Sequence, residues 1–430
     1  MSDAAWKTKP LGELAFEVKD RVGQESEGLS VYGVDRHVGL TGETRYVAAS
    51  LDRYKIIQPG MFAYNPMRLN IGSIGFCKPS YQRGLVSPDY IVFGCKPGQL
   101  NPEFLNYAIR GPEWVQWTSN AGVGSVRQRI YFKELARLPI TVPPYDAQCA
   151  IVKVLQALDD KIESCLQIIK TLEKLAKTMF QSWFVNFDPV RSNNSKTKLI
   201  GIDSKTARHF PTAFQGSPLG PIPKGWEVSE IGHITDVVDC LHAKKPEKRE
   251  VGKIYLQLNN IRDDGIVDIS DAFLISEDDY QNWISRMEAK EGDCVITNVG
   301  RVGVAAQIPE GVKAALGRNM TGIRSKSIFP YPTFLIECLI SEAMREEIRK
   351  KMDSGTILDA LNVKNIPKLR FVRPPNTIAN HFENLVRPVR QSMEKQLLES
   401  RTLAEMRDTL LPKLLSGELR VPAKLKEANA

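Results

Sequence analysis

From Ile151 the apolar positions of the chain fall at Ile151, Leu155, Leu158, Ile162, Cys165, Ile169, Leu172, Ala176, Met179 and Trp183. The steps alternate four and three without a break, the spacing that makes the seam of a coiled coil. At about 1.5 Å per residue such a helix is roughly 50 Å long. A second stretch of this kind runs from about Ala379 to Leu415, through Val389, Met393, Leu397, Leu403, Leu410 and Leu414, with a less regular seam. Neither stripe can stay in water, so the two helices are expected to pair with each other. Elsewhere the periods are shorter. DYIVFGC (89–95) and DCVITNVG (293–300) are β-rich and bounded by Gly and Pro, as strands between turns should be. Helical patterns cover Pro102–Ile109 and Tyr331–Met352.

The chain repeats itself at an offset of about 220–231 residues, a sign of duplicated architecture. Trp6 opens WKTKPLGEL and Trp226 opens WEVSEIGHI. An Asn-x-Gly-x-x-Gly pattern occurs as Asn70, Gly72, Gly75 and again as Asn298, Gly300, Gly303. Phe104-Leu105 is matched by Phe334-Leu335, and FKELARLPITVPP (132–144) by VKNIPKLRFVRPP (363–375). With the wider echo of QPGMFAYNPMRLNIGSIG (58–75) in KEGDCVITNVGRVG (290–303), five matches in one order outweigh the weakness of each. Each unit reads as a mixed α/β head followed, after Pro143-Pro144 or Pro374-Pro375, by a long helix. A Pro/Gly/Ser-rich stretch between the first helix and the second head reads as a linker.

Composition narrows the class. The chain has 430 residues, 25% charged and 42% hydrophobic, ordinary for a globular protein of two or three domains. No apolar run is long enough to span a bilayer. Seven cysteines, odd in number and never in CxxC spacing, argue against a disulfide framework or a Cys-based zinc site and fit a reducing cytosol. The five histidines form no HExxH pattern, and no metal site is expected. The net charge of +8 permits a polyanionic partner. By segment it is +4 over 1–144, +4 over 145–224, −2 over 225–375 and +2 over 376–430. Any nucleic-acid binding must therefore come from local clusters.

Enzyme motifs are incomplete. An amino-methyltransferase needs a polar residue before Pro-Pro-aromatic to accept hydrogen bonds from the target amine. Here Val142 precedes Pro143-Pro144-Tyr145, and Arg373-Pro374-Pro375-Asn376 lacks the aromatic. Pro-Pro as a strand-to-helix break is the better reading. Both Asn-x-Gly-x-x-Gly stretches lack the first glycine of a dinucleotide loop and read as tight turns with close backbone approach. No GxxxxGK[ST] occurs, so no ATP-driven motor is expected here. Asp89 and Lys96 would need an acidic residue where Cys95 stands to make a nuclease site. No catalytic residue is assigned.

Basic and amide side chains beside the turns remain. Arg68 adjoins the first Asn-x-Gly-x-x-Gly, Arg301 lies within the second, and Arg127 and Arg129 follow NAGVGS. Arg83 precedes LVSPDYIVF, and Arg318-Asn319 precedes MTGI at what reads as the equivalent place. Lys244, Lys245, Lys248 and Arg249 form a basic cluster early in the second head. Arg and Asn match guanine and adenine edges in the major groove, and Lys suits phosphates.

The C-terminal LLPKLLSGELRV (410–421), the Trp-opened tandem heads and the helix after each Pro-Pro resemble the specificity (S) subunit of type I restriction-modification systems. The resemblance implies two α/β target-recognition domains, 1–145 and 225–375, separated by an antiparallel two-helix coiled coil (146–187 and 376–417), with a linker at 188–224 and a tail at 418–430. It implies a non-catalytic, cytoplasmic subunit that reads a bipartite, asymmetric site in double-stranded DNA, one head per half-site. Two methyltransferase subunits carrying S-adenosylmethionine would dock on the helices, and restriction subunits using ATP and Mg would complete the complex. The rivals are a stand-alone DNA adenine methyltransferase with a non-standard motif and a coiled-coil scaffold.

Overall fold

The computed structural model describes residues 6–36, 38–42, 44, 47–120, 129–195, 202, 204–352 and 359–421. It divides into two compact units, Met1–Ile162 with Thr402–Ala430, and Glu163–Arg401. The division falls inside both long helices, so each unit is a head with its own stretch of helix pair.

The first head runs β1 (Lys7–Pro10), α1 (Leu11–Leu14), β2 (Ala15–Val18), β3 (Ser30–Asp35), β4 (Gly39–Thr41), β5 (Lys55–Ile57), β6 (Phe62–Tyr64), β7 (Ile74–Phe76), β8 (Gly84–Val86), β9 (Ile91–Cys95), α2 (Pro102–Ala108), α3 (Pro112–Asn120), α4 (Phe132–Leu135) and β10 (Pro139–Val142). The long helix α5 (Tyr145–Phe180) follows, then α6 (Asp188–Ser195), α7 (Ser204–Ala207) and a small pair, β11 (Phe214–Gln215) with β12 (Ile222–Pro223). The second head runs β13 (Glu227–Glu230), α8 (Ile231–Ile234), β14 (Thr235–Asp239), β15 (Lys253–Leu256), β16 (Phe273–Ile275), α9 (Glu277–Trp283), β17 (Ala289–Lys290), β18 (Cys294–Thr297), β19 (Ala305–Gln307), β20 (Lys313–Leu316), β21 (Met320–Ser325), α10 (Pro332–Ile340), α11 (Glu342–Lys351) and β22 (Arg370–Arg373), and ends in α12 (Asn376–Ser416).

The repeat is a repeat of topology. Sheets β2-β9-β6-β7 and β4-β3-β8-β5 of the first head correspond to β14-β21-β18-β19 and β16-β15-β20-β17 of the second, and the pair β1-β10 to β13-β22. Between the described strands each head has one parallel pairing, β3 with β8 or β15 with β20, among antiparallel ones. One strand departs from this: β4 pairs the far half of β3, whereas β16 pairs the near half of β15. The place of β4 is taken by a hairpin closed by the Ile261–Val267 bridge.

Backbone register corrects the alignment of the glycine motif. Gly72 (φ 86°) and Gly303 (φ 76°) each stand two residues before the return strand, β7 or β19, and are equivalent. Gly75 lies within β7 opposite Ala63, where the second head has Ala306 opposite Val295. Gly75 is needed for another reason: a Cβ there would come within 2.6 Å of the Leu40 nitrogen. The helical pattern over 331–352 is two helices, because Ser341 leaves helical conformation and its hydroxyl accepts from the Met344 nitrogen at 3.2 Å, an N-cap that starts α11.

Every seam residue of α5 is buried or half-buried, from Ile151, Leu155, Leu158 and Ile162 through Ile169, Leu172 and Met179 to Trp183. In the first unit Ile151 and Leu155 share a core with Leu411, Leu414 and the half-buried Leu410. In the second, Ile169 and Leu172 pack with Met393 and Leu397, and Phe180 and Phe184 meet Phe382. Rising numbers on α5 meet falling numbers on α12, so the helices are antiparallel. The α5 helix widens to a π turn over Gln181–Val185, which lets the adjacent Trp183 and Phe184 both enter the core. There they join Phe334, Phe382 and Trp226. The stretch 188–224, expected as a linker, contributes Val190, Phe210 and Ile222 to that core. Its Pro/Gly/Ser composition hid four short elements. Among the described residues no helix is long and apolar enough to cross a membrane.

Candidate nucleic-acid interface

Topology gathers several loops at one end of each head. In the first, β2, β6 and β3 end where β9 begins and β8 ends. The segment after β2, the β3–β4 turn, the β6–β7 loop (65–73) and the β8–β9 turn (87–90) therefore lie together. The Ile130 nitrogen bonds the Pro66 carbonyl at 3.0 Å, which brings Arg129 to the same end, where its Nη1 reaches the Tyr131 hydroxyl at 3.3 Å. Arg68 is exposed on the 65–73 loop. Arg127 lies outside the described residues.

Two open clefts adjoin that loop. One, of about 660 Å³, is lined by Arg36, Lys78 and Arg110 with Asn70 and Asn106, and among the described residues no carboxylate lines it. The other, of about 640 Å³, mixes Arg36 and Arg68 with Asp35 and Asp89. The first suits phosphates. The second offers both donors and acceptors, the combination that base edges require. Arg36, Asn70, Lys78, Asp89 and Arg110 were not singled out as contacts from sequence. Asn70 was visible only as part of a turn motif, and nothing in the chain's order places α2 and α3 beside that turn.

The second head presents the equivalent loops. The basic segment after β14 is tied in by the Cys240 nitrogen bonding the Met320 carbonyl at 3.3 Å. Lys244 and Lys245 are exposed, and the Lys245 ammonium sits 4.2 Å from the Phe273 ring centre. Arg318 and Asn319 are exposed on the β20–β21 turn, with Asn319 in the left-handed region at φ 65°, a conformation Asn tolerates better than most residues.

Two expectations are corrected. Arg83 and Arg318 are not equivalent: Gly84 opposes Ile57 and Ala314 opposes Ala289, so Arg83 corresponds to Lys313. It lies before β8, at the far end from the gathered loops, while Arg318 follows β20 and corresponds to Pro88. The slip arose because a similar apolar run follows both arginines. Arg301 is engaged internally. Its Nη1 donates to the carbonyls of Leu258 (3.2 Å) and Ile261 (2.8 Å), and its Nη2 to Asp263 Oδ1 at 2.8 Å.

The fold also brings Asp239, Cys240 and His242 within 4.8 Å of one another, three potential metal ligands that spacing did not suggest. Burial pushes the Cys240 thiol up from its ordinary value, away from the thiolate a metal needs. The Arg286 guanidinium bonds the Cys240 carbonyl at 2.9 Å and lies 3.8 Å from Asp239, supplying the positive charge itself. His242 Nε2 meets Asp239 Oδ2 at 2.7 Å.

Residues 61–174, which include the 65–73 loop and much of α5, match the Type I restriction modification DNA specificity domain. The HindI specificity subunit of Haemophilus influenzae is 24% identical over 415 residues, covering 85% of this chain and 88% of that protein. The chain is similar to type I restriction specificity subunits. The MjaIX specificity subunit of Methanocaldococcus jannaschii is 25% identical over 324 residues, 74% of this chain and 69% of its own. The crystal structure of the type I S subunit from M. genitalium superposes with a TM-score of 0.60 at 16% identity, over 96% of this chain and 97% of that one. That likeness shows a common fold along nearly the whole chain.

Proposed function

We propose that this chain is the DNA-recognition subunit of a type I restriction-modification complex, each head reading one half of a bipartite, asymmetric target. The observation that carries the reading is the pairing of one strand topology with two different sets of donors and acceptors at the gathered loops. A duplicated scaffold with unlike reading surfaces suits an asymmetric site. Arg68, Arg129, Arg318, Asn319, Lys244 and Lys245 are the assigned DNA contacts. Methyltransferase subunits bind the helix pair in this reading and supply S-adenosylmethionine. Restriction subunits supply the ATP- and Mg-dependent cleavage. The chain itself transfers no methyl group.

Incomplete methyltransferase motifs support that division of labour. Val142 pairs with Lys7 in the β1–β10 ladder, and Tyr145 starts α5, so the first Pro-Pro is a strand-to-helix break. The test is methylation by the purified chain, alone and with its methyltransferase partner. Sequence-specific methylation is expected only with the partner, and methyl transfer by the pure polypeptide overturns the reading in favour of a stand-alone enzyme. Replacing residues 1–144 with the head of a relative should alter one half of the methylated sequence. A scaffold would show no sequence preference in either arm.

A further inference from the structure

We propose that the two heads read bases with different loops of their shared scaffold: the β6–β7 loop in the first, through Arg68 and Asn70, and the β20–β21 turn in the second, through Arg318 and Asn319. The inference rests on the DNA-recognition reading and goes beyond it by assigning which loop reads in each head.

The argument is reciprocal. In the first head the 65–73 loop holds its shape through its backbone and Asn65. The Ser73 nitrogen bonds the Arg68 carbonyl at 3.0 Å, and Asn65 Oδ1 accepts from the Met67 nitrogen at 3.0 Å. This leaves the tip side chains uncommitted. Arg68 and Asn70 are exposed and make no side-chain hydrogen bond among the described residues, and Met67 and Ile71 are about half exposed beside them. A loop whose backbone is braced while its forked donor, amide and apolar groups face outward can meet base edges and thymine methyls without further ordering.

The equivalent loop of the second head, 298–304, has spent the same chemistry internally. Besides the three bonds of Arg301, the Asn298 amide accepts from Thr321 Oγ1 at 3.0 Å and donates to the Leu361 carbonyl at 3.2 Å. Asn298 is 6% exposed, and reading with it would require breaking buried bonds.

The β8–β9 and β20–β21 turns show the converse. In the first head Pro88 stands where the second has Arg318, and proline donates nothing. Asp89 stands where the second has Asn319. The Lys55 ammonium bonds the Tyr90 carbonyl at 2.6 Å and pins that turn to its own sheet. In the second head Gly317 is pressed against the sheet, where a Cβ would meet the Leu256 carbonyl oxygen. The Asn319 carbonyl accepts from the Asn298 nitrogen at 2.8 Å. The turn is braced, and the side chains of Arg318 and Asn319 are exposed and make no hydrogen bond among the described residues. The bonded Asn298 thus supports the turn that reads, while Arg301 is held by the β15–β16 connection.

The experiment uses the full chain with its methyltransferase partner and a DNA library randomised in both half-sites. Arg68→Ala and Asn70→Ala should relax base preference in one half-site only, by roughly 10- to 100-fold at the affected position. Arg318→Ala and Asn319→Gly should relax the other half only. Glycine keeps the left-handed backbone at 319, so the turn survives the loss of the amide. Arg318→Lys keeps the charge and loses the fork, and should relax the same position as Arg318→Ala. Arg301→Lys should leave the base preferences unchanged. Selective wild-type methylation with relaxed preference in Arg301→Lys, or uniform weakening in Arg68→Ala and Arg318→Ala, overturns the loop assignment alone. A wild-type complex without sequence preference overturns the recognition reading beneath it.

Discussion

The two heads are fastened to the helices that follow them at the same place with different chemistry. Tyr107 and Glu337 are each the sixth residue of α2 and α10, and Asp159 and Arg390 each the fifteenth of α5 and α12. In the first unit the Tyr107 hydroxyl donates to Asp159 Oδ2 at 2.7 Å, and Arg407 Nη1 donates to Asp159 Oδ1 at 2.7 Å. Burial and the neighbouring carboxylate push the Tyr107 phenol up, so it stays a donor. In the second unit Arg390 Nη1 donates to Glu337 Oε1 at 2.8 Å, both side chains 3% exposed or less, and Arg390 Nη2 donates to the Gly265 carbonyl. The carboxylate has moved from helix to head. The first fastening is a neutral donor on a half-exposed acid; the second is a buried ion pair, which is costly to break from one side.

The largest effect should come from Arg390→Asp, which sets two carboxylates together in a dry site. We expect a loss at or above about 3–5 kcal/mol in the second unit, read by urea unfolding followed through tryptophan fluorescence. Adding Glu337→Tyr transplants the first head's pair and should recover much of it; no recovery would mean the two fastenings are not interchangeable parts. Arg390→Met sharpens the point through pH. Burial pushes the Glu337 carboxyl up and Arg390 opposes it, so removing the cation raises it further. A carboxyl whose folded value is raised holds its proton to higher pH than the unfolded chain does. The deficit of Arg390→Met should therefore be smallest near about pH 4 and grow toward neutrality as the unfolded carboxyl ionises.

Tyr107→Phe is the matching test in the first unit and should cost less. It removes one hydrogen bond to a charged group, about 1.5–3 kcal/mol, and leaves Asp159 with Arg407. Hydrogen exchange along α2 should rise while exchange along α10 stays unchanged. Equal protection loss in both heads would mean that the fastenings are coupled.

These positions show what the sequence could and could not reveal. The α5 seam was legible because every step was apolar. The α12 seam reads as irregular because Arg390, Ser400 and Arg407 occupy inward steps where they are buried or half-buried; the two arginines find partners that only the fold supplies, and the serine finds one within its own helix. Arg390 finds Glu337, the Ser400 hydroxyl its own helix's Leu397 carbonyl, and Arg407 finds Asp159. The duplication was legible from Trp6 and Trp226, the Pro-Pro breaks and the Phe-Leu pairs, which all fall on equivalent elements. Matching Gly75 with Gly303, or Arg83 with Arg318, failed because letters repeat at offsets that strand register does not respect. Within the candidate site, Arg68, Arg318 and Asn319 could be picked out by residue type and turn context. The engagement of Arg301 could not, since Leu258, Ile261 and Asp263 approach it only through the β15–β16 connection.

The smallest effect concerns phosphates and again contrasts equivalent segments. After β14 the chain carries Lys244, Lys245, Lys248 and Arg249 against Glu247 and Glu250; after β2 it carries Lys19 and Arg21 against Asp20, Glu25 and Glu27. The same place is therefore net positive in the second head and net negative in the first. Lys19 is further occupied by Glu17 at 3.2 Å. If these segments flank DNA in both heads, only the second grips the backbone. Each phosphate contact that is lost should lower the slope of log affinity against log salt by about 1 without changing base preference. Lys244→Ala should behave so. Lys245→Ala should do the same, and in addition it frees the Phe273 face, so Lys245→Arg, which keeps both charge and ring contact, should restore the slope. Lys19→Ala should leave the slope unchanged. A salt slope that falls equally for Lys19→Ala and Lys244→Ala would mean that both heads hold phosphates here, and that the difference in charge between the two segments does not decide where the backbone runs.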